Sequence, residues 1–135
     1  MARWTQQDID SKKKPSKPHQ SEDSLQKSCV TWFNMQYRQY AGRLWHPANG
    51  GSRNVIEATK LKAMGVLSGV CDLILSVPNF AMGYGGMFIE LKVGKNKTTE
   101  NQDRFIAAHK DDYMCIVCYS LEDFIVRVNM YLSTK

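Results

Sequence analysis

The stretch Val70–Val77, VCDLILSV, is a nearly continuous apolar run with one acid, Asp72, inside it. It constrains the fold more than any other part of the chain. Such a run fits a central β-strand buried on both faces. Pro78 ends it, and AMGYGG is a loop. Met87–Val93, MFIELKV, then alternates: Met87, Ile89, Leu91 and Val93 point one way, and Phe88, Glu90 and Lys92 the other. Two such strands side by side put Asp72, Glu90 and Lys92 where an ionised group is costly unless a cation or hydrogen bonds compensate.

The remaining elements follow from periodicity and caps. Ser21 can cap a first helix, with Glu22 and Asp23 at its positive end and Leu25, Cys29, Trp32 and Phe33 in one buried stripe. Glu22 sits at the N-terminal edge of that stripe, where a carboxylate could point inward. Arg43–Pro47 is a short strand, ended by the turn-forming Asn49-Gly50-Gly51. A second helix runs from about Asn54 to Met64, with Val55, Ile56 and Leu61 as its apolar members and Gly65 as its stop. Thr99 and Gln102 form a capping-box pattern opening a third helix, whose inner stripe holds Gln102, Phe105, Ile106 and His109. Tyr113–Tyr119 is another buried strand. Ser120 starts a last helix with Leu121, Phe124, Ile125, Val128 and Leu132 as its core face. The order α-β-α-β-β-α-β-α indicates an α/β domain with a mixed central sheet and helices packed on it.

The chain has 135 residues, enough for one domain, expected over residues 21–135. Residues 1–20 carry five basic and two acidic residues, a surplus of three within the chain's net +5. KKKPSKPHQ has no apolar periodicity, so this stretch reads as a flexible basic arm, either a solvated tail or a DNA-contacting one. No apolar stretch approaches the roughly 20 residues that span a membrane. The N-terminus lacks the apolar core of a signal peptide, so a cytoplasmic setting with four free thiols is expected.

Two carboxylates brought together repel, and one would take up a proton. A divalent cation relieves both the burial and the repulsion. Asp72 and Glu90 supply the hard oxygen ligands that Mg²⁺ or Mn²⁺ accepts, and the main-chain carbonyl of Leu91 could add another. Lys92 projects from the same face as Glu90 and could offset charge at an attacking water or a phosphate. This is a layout for metal-assisted phosphodiester hydrolysis. A Glu-x-Lys pair alone reads more simply as a surface ion pair; Asp72, the glycines Gly65 and Gly69, and the Gln102 helix favour the catalytic reading.

Gly69-Val70-Cys71-Asp72-Leu73-Ile74-Leu75, Phe88-Ile89-Glu90-Leu91-Lys92 and Gln102-Asp103-Arg104-Phe105 together resemble the PD-(D/E)XK nuclease superfamily. Within it the match is to the VRR-NUC (virus-type replication-repair nuclease) domain. His46-Pro47-Ala48-Asn49-Gly50-Gly51 and Glu22-Asp23-Ser24-Leu25-Gln26 resemble that family's upstream segments, so the similarity covers roughly residues 21–132. The resemblance implies a restriction-endonuclease-like αβββαβ core and a metal-dependent DNA nuclease. It assigns Asp72 and Glu90 as metal ligands and Lys92 as the catalytic lysine. Glu22 becomes the first-helix acid that completes the metal site directly or through water, and Gln102 supports the site or touches substrate. Stand-alone members, many phage-encoded, are associated with branched DNA such as four-way (Holliday) junctions and act as dimers, whereas fused members prefer flaps and repair intermediates. One departure is Cys71, where a proline often precedes the acid.

The expectation is therefore a Mg²⁺- or Mn²⁺-dependent endonuclease for branched DNA, acting as a homodimer because paired cuts need two sites. A non-catalytic nucleic-acid-binding module on the same fold, or a flap or nicking nuclease, is the alternative. His46, Asn49, Arg53, Lys60 and Lys62 are candidate DNA contacts, although the lysines also read as a solvated helix face and His46 as a rim or core residue. Cys115 and Cys118 fall on opposite faces of their strand, which disfavours zinc or a redox pair. His109, Trp32 and Phe33 read as packing residues.

Overall fold

The computed structural model describes residues 20–48 and 54–134. The expected arm, apart from Gln20, lies outside the described residues, as do Asn49, Gly50, Gly51 and Arg53. The elements are helix α1 (Glu22–Gln36), a 3-10 turn (Arg38–Tyr40), strand β1 (Leu44–Trp45), helix α2 (Val55–Ala63), strands β2 (Leu73–Leu75) and β3 (Met87–Leu91), helix α3 (Glu100–His109), strand β4 (Met114–Cys118) and helix α4 (Leu121–Ser133). The sheet order is β1-β2-β3-β4. β1 and β2 run antiparallel, as do β2 and β3, while β3 and β4 are parallel. This is the mixed sheet and element order that the sequence indicates. None of the described helices is long and apolar enough to cross a membrane.

The core lies on one sheet face. Leu73, Leu75, Met87, Ile89, Leu91, Ile116 and Cys118 are buried there against Leu25, Cys29 and Phe33 of α1 and Phe124, Val128, Tyr131 and Leu132 of α4. Each fully buried large aliphatic or aromatic side chain contributes about 1.5–3 kcal/mol. Both helices start on serine caps: Ser21 accepts from the Ser24 amide at 3.0 Å, and Ser120 from the Asp123 amide at 3.1 Å. Trp32, expected in the buried stripe, is half-buried and packs edge-on against Tyr37 and Phe124. Tyr131, which the sequence reading passed over, is fully buried and donates its hydroxyl to the Val77 carbonyl at 2.6 Å.

The strands are shorter than their apolar runs. The expected strand Val70–Val77 is regular only over Leu73–Leu75, so Asp72 stands immediately before it. The reason lies at Asp72 itself. Its main-chain N–H still donates to the Ile89 carbonyl at 3.1 Å, but the Leu91 N–H is taken by its side-chain Oδ2 at 2.7 Å. A carboxylate thus replaces a main-chain acceptor, and the ladder ends there. Strand β3 likewise stops at Leu91, although the Lys92 N–H still donates to the Cys118 carbonyl at 3.0 Å.

Helix α2 lies where the sequence indicates. Asn54 caps it and Gly65, at φ +99°, follows its end, as the sequence indicates. Its apolar members, however, are not core: none of its residues is buried, and Val55 and Ile56 are 81% and 85% exposed. Leu61 is half-buried, so apolar spacing forms the helix while Val55 and Ile56 stay exposed.

Candidate active site

The second sheet face carries Glu90 and Lys92, buried to 4% and 7% exposure. Strand pleat places both on one side, opposite the core residues Ile89 and Leu91. The Lys92 ammonium lies 4.0 Å from Glu90 Oε1. Asp72 reaches the same spot from the start of β2, because the antiparallel register pairs Leu73 with Ile89. The Asp72 carboxyl stands close enough to that of Glu90 to act on it directly. Burial first, then the hydrogen-bonded and charged Asp72, push the Glu90 carboxyl up to about 9; Lys92 opposes this and Glu22 adds to it.

Helix α3 delivers Gln102. Thr99 caps the helix and accepts from the Gln102 amide at 3.2 Å, while the Gln102 side-chain oxygen accepts from the Thr99 N–H at 2.8 Å. The remaining side-chain amide donates to Glu90 Oε1 at 2.8 Å. One side chain thus closes the cap and holds the buried acid.

The cleft in front of this group has a volume of about 500 Å³. Asp23 and Gln26 from α1, His46 and Pro47 after β1, the Leu67–Asp72 approach, and Thr99 and Gln102 line it. His46 Nδ1 lies 2.5 Å from the Asp72 carbonyl oxygen, so this candidate DNA contact stands on the cleft wall. Asp23, which the sequence places at the positive end of the first helix, and Gln26 one turn on thus also face the cleft.

Glu22 stands apart from the buried acids. It is half-buried, and its carboxylate accepts from Asn96 Nδ2 at 3.3 Å. Its charge acts on Glu90, but among the described residues no three acid, histidine or cysteine side chains cluster closely enough to hold a metal ion. Lys60 and Lys62 lie exposed on α2. Cys115 is half-buried and Cys118 buried on the other face; both are free thiols. His109 packs against Phe88, Phe105 and Tyr113.

No family model and no curated protein sequence matches this chain. A solved structure described as a VRR_NUC domain protein is similar to it with a TM-score of 0.71 at 25% sequence identity. The similarity covers 87% of this chain and 92% of that one. Motif resemblance and three-dimensional likeness therefore agree: the chain has the restriction-endonuclease-like fold of a VRR-NUC domain.

Proposed function

We propose that this protein is a divalent-metal-dependent DNA endonuclease, acting on branched DNA such as four-way junctions. The observation that carries the reading is the convergence of Asp72, Glu90 and Lys92 behind one open cleft, with Gln102 fixing Glu90.

The donor set suits a hard cation. The buried Glu90 carboxyl and the half-buried Asp72 carboxyl beside it would repel if both were ionised, and a cation between them relieves this. Mg²⁺ is commonly held by one or two carboxylates together with water and substrate phosphate, so a third acid in direct contact is not required. Asp72 and Glu90 would hold the ion, with the Leu91 carbonyl as a further ligand and Glu22 acting through water. When bound, such an ion polarises the phosphate and lowers the pKa of an attacking water. The Lys92 ammonium places a buried positive charge where negative charge grows on the phosphate. Gln102 keeps Glu90 turned toward Asp72, and His46, on the cleft wall, can contact the DNA strand. Lys60, Lys62 and, from the undescribed loop, Asn49 and Arg53 would contact flanking phosphates.

A homodimer is part of this reading. Helix α2 has nine residues, none of them buried. An isolated helix this short is marginal in water, so a second copy packed on Val55 and Ile56 would supply its missing cover. Two sites would then cut two strands.

A cleavage panel of junction, flap, nicked and linear DNA with Mg²⁺ and Mn²⁺ tests the proposal. Metal-dependent cutting of the junction should disappear in Asp72→Ala and Lys92→Ala proteins whose thermal melts show a retained fold. Unchanged cutting in either variant overturns the assignment. A monomer by light scattering, both free and with a junction, overturns the dimer.

A further inference from the structure

Strand register lines up Trp45, Ile74, Phe88 and Cys115 in one row across the four strands. Asp72 and Glu90 occupy the adjacent row on that face, two residues from Ile74 and Phe88 along their chains. At about 3.3 Å rise per residue the rows are roughly 7 Å apart, within the reach of one nucleotide.

The two halves of this face differ. Helix α3 covers the β3–β4 side, with Phe105 and His109 packed on Phe88. Among the described residues the β1–β2 side is open: Trp45 is 44% exposed, and a groove of about 330 Å³ lies over Ile74 and Phe88 between Trp45 and Tyr113. The rings are held in place. The Trp45 indole N–H donates to Ser76 Oγ at 2.9 Å, and Tyr113 stacks on Phe88 with centroids 4.5 Å apart. Among the described residues, no charged one lines the groove. It therefore suits a flat, neutral ring and not a phosphate.

The geometry points to a stacking subsite: the Trp45–Ile74–Phe88 row, one step along the sheet from Asp72 and Glu90, receives an unpaired base of the DNA strand that enters the cleft. This inference rests on the nuclease reading and deepens it. A base within intact duplex is held in its own stack, whereas a base at a branch can turn onto an aromatic surface. The open row thus gives a physical cause for a preference for branched over linear DNA.

The test is binding by fluorescence anisotropy, with Ca²⁺ replacing Mg²⁺ so that binding is read without relying on cleavage. A labelled single-stranded oligonucleotide and a duplex of equal length are compared. Trp45→Ala should weaken single-strand binding roughly tenfold or more, Trp45→Phe should restore most of it, and duplex binding should change little. Ultraviolet crosslinking of a 5-iododeoxyuridine oligonucleotide to the unmodified protein should label Trp45 or Tyr113, which keeps the test decisive if Trp45→Ala does not fold. Single-strand binding unaffected by Trp45→Ala, or crosslinks confined to other residues, overturns the subsite. Failure of the wild-type protein to cut any DNA overturns the nuclease reading instead, whatever the binding result.

Discussion

The Gln102 side chain donates to Glu90 Oε1 at 2.8 Å while its own oxygen accepts from the Thr99 N–H at 2.8 Å. The start of α3 and the buried acid are therefore one hydrogen-bonded unit. Gln102→Ala removes both bonds and should cost about 1–2 kcal/mol in urea unfolding. Gln102→Glu can keep the cap but exchanges a neutral donor for an anion beside Glu90. It should regain most of the stability and none of the lost cleavage. Equal recovery of both would make Gln102 a cap alone.

Glu90 makes metal-free stability depend on pH, and the sign is fixed. Its carboxyl is raised to about 9, chiefly by burial and then by Asp72, from the ordinary 4.5. Between those values the folded chain holds a proton that the unfolded chain has lost. The stabilisation is complete below about pH 4.5 and declines as pH rises through 9, by at most about 1.4 kcal/mol per pH unit. Cys29, Cys71 and Cys118, pushed by burial up to about 12, add to the decline only once unfolded thiols ionise, above about pH 8.5. Thermal melts in chelator between pH 5 and 8 therefore exclude the thiols, and comparison with Glu90→Gln picks out the carboxyl. The wild-type melting temperature should fall across that window, and the Glu90→Gln curve should be flatter. Parallel curves would place the proton elsewhere.

The same proton must leave when a cation binds the pair. Calorimetric titration with Mg²⁺ at pH 7, in two buffers of different ionisation enthalpy, should show release of close to one proton per ion. Release should shrink as pH approaches 9, and binding should be lost in Asp72→Ala. Binding without proton release at pH 7 would mean that the ion does not displace the proton on Glu90.

Much of this arrangement is legible in the sequence because strands announce their faces. Alternation along MFIELKV separates Glu90 and Lys92 from the core, and the acid inside VCDLILSV marks a neighbouring strand. The Thr99–Gln102 capping pattern locates α3, and the structure contains both of its bonds. Burial of α2 is not legible, because apolar spacing specifies a helix and not whether another surface covers it. Strand ends are not legible either, since the β2 ladder stops where the Asp72 side chain, and not its backbone, takes the Leu91 N–H. The second bond of Gln102, to Glu90, depends on how α3 is seated and has no local signature.

At the end of β2 opposite Asp72, Asn79 is fully buried and pins the C-terminal helix. Its side-chain nitrogen donates to the Tyr131 carbonyl at 2.8 Å and to Thr134 Oγ1 at 3.0 Å, and its oxygen accepts from the Met82 N–H at 2.9 Å. Asn79→Ala leaves a buried carbonyl and a loop amide without these partners. Denaturant unfolding should show a loss of about 2–4 kcal/mol. A loss under about 0.5 kcal/mol would mean that water replaces all three bonds.

Two glycines on the approach to Asp72 separate backbone strain from steric contact. Gly65 and Gly69 both adopt positive φ, +99° and +87°. A Cβ at Gly65 would meet no atom of the described residues within 4 Å. A Cβ at Gly69 would come within 2.5 Å of the Asn101 carbonyl oxygen and 2.7 Å of the Gln102 nitrogen. Both are backbone atoms in the first turn of α3, so relief requires moving the helix that holds Gln102 on Glu90. Gly65→Ala should therefore cost only the left-handed backbone penalty, about 1–2 kcal/mol, and leave cleavage intact. Gly69→Ala carries the same penalty plus displacement of α3, and it should lose more stability and most of its cleavage activity. Urea melts and junction cleavage of the two variants, measured together, decide the matter. Equal losses of stability and activity would show that α3 can shift without disturbing the acid pair.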